Sequence, residues 1–423
     1  MTSNQRRVWI TGLGIVTAAG IGVEAFRDGL RRSTSPIRDI DRFDASAFRS
    51  RVGAQVDAFD PAGYMDAKSV RALDRFSQFA VASGRMAVDD ARLIPGERGH
   101  PAPERVGIYL GSALGGIAFA EEQHERYLQR GIRSVSPTLA LAVFGGAAPA
   151  NLGIALGFRG PILSTANSCA SGSVALGEAL GAIRAGEIDA AVAGGVECPL
   201  SPLAFGAFDI IRALASAHND LPAEACRPFD VARSGFVLGE GAALLMVEEA
   251  EAARRRGATP YAELRGYGAT SDGHHMVQPR PDGTEAARAV RIALADAGDD
   301  PGTMDYVNAH ASATPLGDLA EARALERALD GRAADVPISG TKALYGHPLG
   351  ATAAIEAAIA ALTVRDGWAP ASVNLAEPDP EIGPRLAGLI RDPRGLAGTY
   401  RRVLSTSFGF GGLNAALVLG APS

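Results

Sequence analysis

The chain alternates two kinds of apolar segment. Short runs of β-branched and other apolar residues, bounded by polar or glycine-bearing turns, predict buried strands over 8–16, 106–110, 190–193, 242–248, 306–308, 336–338 and 403–405. Longer stretches predict helices over 22–30, 69–90, 174–185, 284–297, 319–329 and 351–364. Strands and helices interleave throughout, which predicts an α/β protein with helices packed on largely buried sheets.

Two stretches share one logic. Residues 161–180 read as a strand, a polar turn carrying Cys169 and a Gly/Ala-rich helix; residues 337–362 read as a strand, a turn carrying His347 and an Ala-rich helix. STANSCASGSVA and SGTKALYGHPLGA are only loosely alike, but the order of elements is the same. A charged segment ending in glycine, 251–257, lies between them with no long Pro/Ser linker. The expectation is one compact unit of two similar halves, 1–255 and 256–423.

Composition narrows the class. Of 423 residues, 47% are hydrophobic and 21% charged, an ordinary globular balance, and the net charge of -6 argues against a nucleic-acid binder. Gly 51 with only 6% aromatics suits many tight turns and close packing of small residues. Cys169, Cys198 and Cys226 have no metal-binding spacing and are odd in number, so neither a disulfide scaffold nor a zinc site is expected, and a reducing cytoplasm fits. The first strand begins almost at once without a signal-peptide pattern, and no apolar stretch is long enough to span a membrane. Lysine occurs only at Lys68 and Lys342 against an arginine background, which draws attention to Lys342 beside the His347 turn.

Cys169 leaves a strand and opens a helix, where the helix dipole and free N–H groups favour a thiolate and can hold an oxyanion. His310 follows the strand at 306–308 directly, and His347 precedes a helix. A cysteine and two histidines, each on a turn at a strand end, form a more specific constellation than any one of them. His100, His124, His218, His274 and His275 sit in polar, loop-like contexts and are left as structural or surface residues. The glycine-rich turns at 111–116 and 408–414 match neither a P-loop nor a dinucleotide fingerprint, so tight turns are the expectation.

Together these residues resemble the β-ketoacyl-acyl-carrier-protein synthase family, in particular its elongating branch and the related type II polyketide ketosynthases. The likeness runs from RRVWITGLGIVT to SFGFGGLNAALVL and includes AGGVE (193–197), RPFD (227–230), GFVLGEGA (235–242), VNAHASATPLGD (307–318) and GTKALYGHPLGATAAIE (340–356). It implies a thiolase-like, duplicated αβαβα five-layer fold. It implies that Cys169 accepts an acyl chain and that His310 and His347 complete a Cys-His-His triad supported by Lys342 and Glu356. The backbone N–H groups of Cys169 and Phe410 would form an oxyanion hole, with Phe410 as a gate between Gly409 and Gly411. Ser312 and Thr314 would hold the pantetheine arm, and Leu114 would line the end of the acyl pocket.

Lys68, Arg71 and Arg133 would belong to a docking surface for acyl carrier protein. No metal, nucleotide or resident cofactor is implied, because the phosphopantetheine arrives on the carrier. The partners implied are acyl carrier protein and a second subunit, either an identical one or a chain-length-factor-like one. Three departures stand out: Ala311 and Ala313 in His-Ala-Ser-Ala-Thr, Leu413 in Gly-Gly-Leu-Asn, and Asn167-Ser168 before the nucleophile. Two other readings are a non-catalytic chain-length partner, which the presence of Cys169 opposes, and a thiolase acting on coenzyme A thioesters, which the Lys342 and His347 turn opposes.

Overall fold

The computed structural model describes residues 5–423. Its first half supplies β1 (Val8–Thr17), β2 (Val106–Gly111), β3 (Ile162–Thr165), β4 (Ala190–Glu197) and β5 (Gly241–Glu249). The second supplies β6 (Ala262–Ser271), β7 (Tyr306–Ala309), β8 (Ile338–Gly340), β9 (Arg402–Gly409) and β10 (Leu413–Gly420). Hydrogen bonding orders them β8-β7-β9-β10-β6-β1-β5-β4-β2-β3, and the short strand Gly20–Ile21 pairs with β1.

This order is one pattern used twice. Outward from the centre, β1-β5-β4-β2-β3 is matched by β6-β10-β9-β7-β8. In each half the outer three strands are parallel and the inner pairings antiparallel. The halves join where Val8–Ile10 of β1 pairs with Ala262–Leu264 of β6. The duplication that the sequence hinted at is therefore plain in the topology.

Helices complete five layers. Helix α1 (Arg75–Ala91) packs on β1, β4 and β5 outside the first half-sheet. Helices α2 (Ser171–Arg184) and α5 (Leu349–Asp366) pack on each other and on strands of both half-sheets, forming the middle layer. Helix α3 (Thr284–Ala297) covers β6 and β10, with α4 (Pro315–Ala328) beside it. Helix α5 is buried on every face from Leu349 to Thr363, which explains its alanine-rich, non-amphipathic sequence. At the α2–α5 crossing a Cβ on Gly172 would lie 2.7 Å from the Ala354 nitrogen, so the two backbones touch only because Gly172 has no side chain.

The helix expected over 69–90 is broken. Asp66 caps Ala67–Ala72, Leu73 is extended, and Asp74 accepts from the Ser77 N–H at 3.1 Å to restart the helix as α1. The strand expected at 336–338 lies at Ile338–Gly340 instead, where pairing with Val307–Ala309 begins. No helix among the described residues is long and apolar enough to cross a membrane.

Candidate active site

The functional turns all follow the carboxyl ends of parallel strands, where α/β sheets place their sites. Cys169 follows β3, His310 follows β7, His347 follows β8, and Phe410 follows β9. Because the two halves face each other across α2 and α5, turns remote in sequence converge. Ligating atoms of Cys169, His310 and His347 lie within 4.8 Å of one another, and all three residues are buried. They line a cavity of about 360 Å³ together with Ser312, Thr314 and Phe410.

Each histidine has one ring nitrogen occupied. Lys342 Nζ lies 3.3 Å from His310 Nδ1, also donates to the His310 carbonyl, and sits 2.5 Å from Glu356 Oε1. An ammonium can only donate, so His310 Nδ1 accepts, and the ring proton is assigned to Nε2. His347 Nδ1 is 2.8 Å from Thr352 Oγ1, which leaves its Nε2 for chemistry. Burial first, and then the Lys342 charge, hold both imidazoles well below the usual 6.5, so both are neutral near pH 7. The same ammonium disfavours a metal cation on this Cys-His-His cluster, despite the ligand spacing.

Cys169 corrects one expectation. It does sit just before α2, but burial pushes its thiol up from the usual value and outweighs the Ser168 hydroxyl, the Lys342 charge and the Phe410 N–H. The resting group is a thiol, and a neutral imidazole nearby can take its proton. The Phe410 N–H lies close enough to the sulfur to favour its charged form. A Cβ on Gly409 would lie 3.0 Å from the Cys169 nitrogen, so the 409–411 turn rests directly on the Cys169 backbone. Gly411, with φ 81, continues that turn and donates its N–H to the Met276 carbonyl.

Sequence reasoning missed several supporting groups. Glu321, buried on α4, accepts from the N–H groups of His310 and Ala311 and from the Thr406 hydroxyl at 2.8, 2.6 and 2.7 Å. Asp318, three residues earlier on the same face, accepts from the N–H groups of Ala313 and Phe229. Ala311 and Ala313 have φ 41 and 64, and the left-handed turns aim their N–H groups at these carboxylates. Two acidic residues at i, i+3 on a helix lined with alanine and leucine were the available signal. Glu197 ends β4 and accepts from Ser112 Oγ and from the N–H groups of Ala113, Leu114 and Gly350, tying the 111–116 turn to the start of α5.

The remaining predicted residues are spread more widely. Ser312 and Thr314 hydroxyls lie 2.9 Å apart on the cavity wall. Leu114 packs against the apolar cluster that contains Cys169 but does not line the cavity. Lys68 and Arg71, on Ala67–Ala72, and Arg133 are exposed. Cys198 and Cys226 are buried and unpaired.

The site has a pH signature. Because the folded-state values of His310 and His347 are lowered, their contribution to stability is complete above 6.5 and is lost as pH falls toward those values. Glu197 and Glu321, which burial pushes up to about 7, act oppositely: their contribution is complete below 4.5 and is lost as pH rises through about 7. Between about pH 7 and pH 5 the two pairs therefore act against each other, and His347→Gln, which removes one opposing group, is expected to raise the urea midpoint at pH 5 relative to that at pH 7 compared with wild type. An unchanged pH dependence in His347→Gln would contradict the assignment.

Comparison with known proteins agrees with this architecture. Residues 5–253 match "Beta-ketoacyl synthase, N-terminal domain" and residues 261–376 match "Beta-ketoacyl synthase, C-terminal domain". The 3-oxoacyl-[acyl-carrier-protein] synthase 2 of Coxiella burnetii (strain RSA 493 / Nine Mile phase I) is 40% identical over 415 residues, covering 98% of each chain. Among solved structures, the ishigamide ketosynthase/chain length factor superposes with TM-score 0.91 at 32% identity, covering 99% of this chain and 100% of the other. The AntDE:AntF complex, a type II ketosynthase with its acyl-carrier protein and bound hexaketide, gives TM-score 0.90 at 30% identity, with 99% and 100% covered. With both halves matched and full-length relatives at this identity, the chain belongs to the β-ketoacyl synthase family.

Proposed function

We propose that this protein is an elongating β-ketoacyl-acyl-carrier-protein synthase that uses Cys169, His310 and His347 for acyl transfer and decarboxylative condensation. The observation that carries this reading is the convergence of the three side chains, within 4.8 Å, at a cavity bearing the Ser312 and Thr314 hydroxyls.

The chemistry follows from the geometry. The Cys169 proton passes to His347 Nε2, and the thiolate attacks the acyl thioester carbonyl. The N–H groups of Cys169 and Phe410 hold the oxyanion; the carrier's C–S bond breaks, and its thiol leaves with the proton from His347. A malonyl thioester then binds, its carbonyl oxygen accepting from His310 Nε2–H. As the bond to the carboxylate breaks, carbon dioxide departs and the electron pair forms an enolate facing His310 Nε2–H. The enolate carbon attacks the acyl-Cys169 carbonyl, a carbon–carbon bond forms, and the thiolate is expelled. No resident metal or cofactor takes part, since the phosphopantetheine belongs to the carrier.

Acyl carrier protein is the proposed partner, with exposed Lys68, Arg71 and Arg133 steering an acidic surface toward the cavity. A second subunit of the same fold, identical or chain-length-factor-like, is proposed on the open edge of β3. Ile162 and Leu163 are 46% and 38% exposed there, and helix Ala147–Leu156 beside them exposes Ile154. Leu114 is proposed to limit the acyl chain from its place in the Cys169 cluster. The unpaired thiols suit a cytoplasmic setting.

The full-length likeness to a 3-oxoacyl-carrier synthase supports fatty-acyl substrates. A polyketide substrate is the second reading, favoured by the departures at Ala311, Ala313 and Leu413. Intact-protein mass spectrometry after incubation with acyl-carrier thioesters of graded length and saturation tests both. One acyl adduct, mapping to Cys169, is expected; its absence across the series would overturn the reading.

A further inference from the structure

The residue before the nucleophile is Ser168, and its backbone is unusual. It has φ 52, in the left-handed region that residues with side chains seldom adopt. The turn is fastened in that shape: Ser171 Oγ donates to the Ser168 carbonyl at 2.7 Å and accepts from the Asn167 N–H at 2.8 Å. This conformation turns the Ser168 side chain toward the nucleophile, with Oγ 3.7 Å from Cys169 Sγ. Among the described residues, that sulfur is the one hydrogen-bond partner of the Ser168 hydroxyl. A Cβ on Gly409 would lie 3.1 Å from Ser168 Cβ and 3.3 Å from its Oγ. Ser168 therefore touches both the nucleophile and the turn that supplies the Phe410 N–H.

We propose that Ser168 is a second hydrogen-bond donor to the nucleophile, its hydroxyl holding the Cys169 thiolate together with the Phe410 N–H. The inference rests on Cys169 being the acyl acceptor. A thiol sulfur is a weak acceptor and a thiolate a strong one, so the contact tightens only after the proton has left for His347. It relaxes again when the sulfur becomes part of a thioester. The hydroxyl keeps its own proton throughout. Around the sulfur, the Lys342 ammonium favours the thiolate, the Glu197 carboxylate opposes it, and His310 and His347 are neutral. In a site dominated by burial, a donor at the sulfur itself has leverage.

Iodoacetamide alkylation of Cys169 as a function of pH, read by peptide mass spectrometry, tests the proposal on wild type, Ser168→Ala and Ser168→Gly. Serine and alanine share the strained φ, whereas glycine relieves it, so the pair separates the hydroxyl from the backbone. The alkylation midpoint is expected to rise by about one pH unit in both variants. Acyl transfer from the carrier thioester is expected to slow about tenfold in kcat with KM unchanged. An unmoved midpoint in both variants, or a shift in Ser168→Ala that Ser168→Gly abolishes, would overturn the proposal. Wild type that takes no acyl group at Cys169 would remove the underlying reading, whereas normal wild-type acylation with unmoved variants removes only the role of Ser168.

Discussion

Cys169→Ala is expected to abolish the acyl adduct and to lower chain extension by about four orders of magnitude or more. The loss is this large because the acyl chain has no alternative acceptor. Cys198 and Cys226 are buried, and burial pushes the Cys226 thiol to about 12 and that of Cys198 well above its usual value. Loss of carbon dioxide from a malonyl-carrier thioester is a different matter. It depends on the His310 Nε2–H donor and needs no sulfur, so it persists in this variant. Measuring carbon dioxide release and chain extension side by side therefore separates the two half-reactions. Chain extension near the wild-type rate in Cys169→Ala would show that the cysteine is not the acceptor. His310→Ala should reverse the pattern, retaining the adduct on Cys169 while decarboxylation falls.

Lys342→Met is expected to destabilise the protein by about 3–5 kcal/mol, because it leaves a fully buried carboxylate without its cation. Neither side chain of the Lys342–Glu356 pair is exposed to solvent. Burial pushes the Glu356 carboxyl up and the ammonium pulls it back down, and Tyr345 is the other donor to the same oxygen, at 3.3 Å. The double variant Lys342→Met with Glu356→Leu should recover most of that stability, since apolar side chains replace the buried pair without leaving a lone charge. It should not recover activity. His310 Nδ1 loses the ammonium that fixes its ring proton on Nε2, so enolate stabilisation suffers in the single and double variants alike. Urea denaturation and condensation assays on the three proteins would decide this, and a double variant as unstable as the single one would contradict the buried-charge account.

Much of the site was legible because its chemistry resides in residue types at the ends of short strands. Cys169, His310, His347, Lys342 and Glu356 could be singled out from local pattern and resemblance. The supporting carboxylates could not. Glu321 and Asp318 look like ordinary polar positions on a helix, and only the burial of α4 against the 310–313 turn reveals that they satisfy its N–H groups. The continuous helix expected over 69–90 failed for a local reason that was present in the chain: Asp66 and Asp74 both precede helical runs, and each caps one. Leu114 illustrates the opposite difficulty, a position marked by resemblance whose packing against the Cys169 cluster depends on distant segments.

The chain's own pattern specified an α/β class, hinted at an internal repeat and marked a candidate Cys-His-His set, because strand and helix periodicity and turn composition are local properties. Three matters rested on the tertiary arrangement. The first is that the two halves share one strand order and face each other across α2 and α5, which brings turns from the two halves together. The second is the protonation state of the site: burial holds the Cys169 group as a thiol and both imidazoles neutral, and the loss of solvent around a side chain is a property of the whole fold. The third is the division of labour between the histidines. Lys342 occupies His310 Nδ1 and Thr352 meets His347 Nδ1, so identical side chains present different partners to the same substrate.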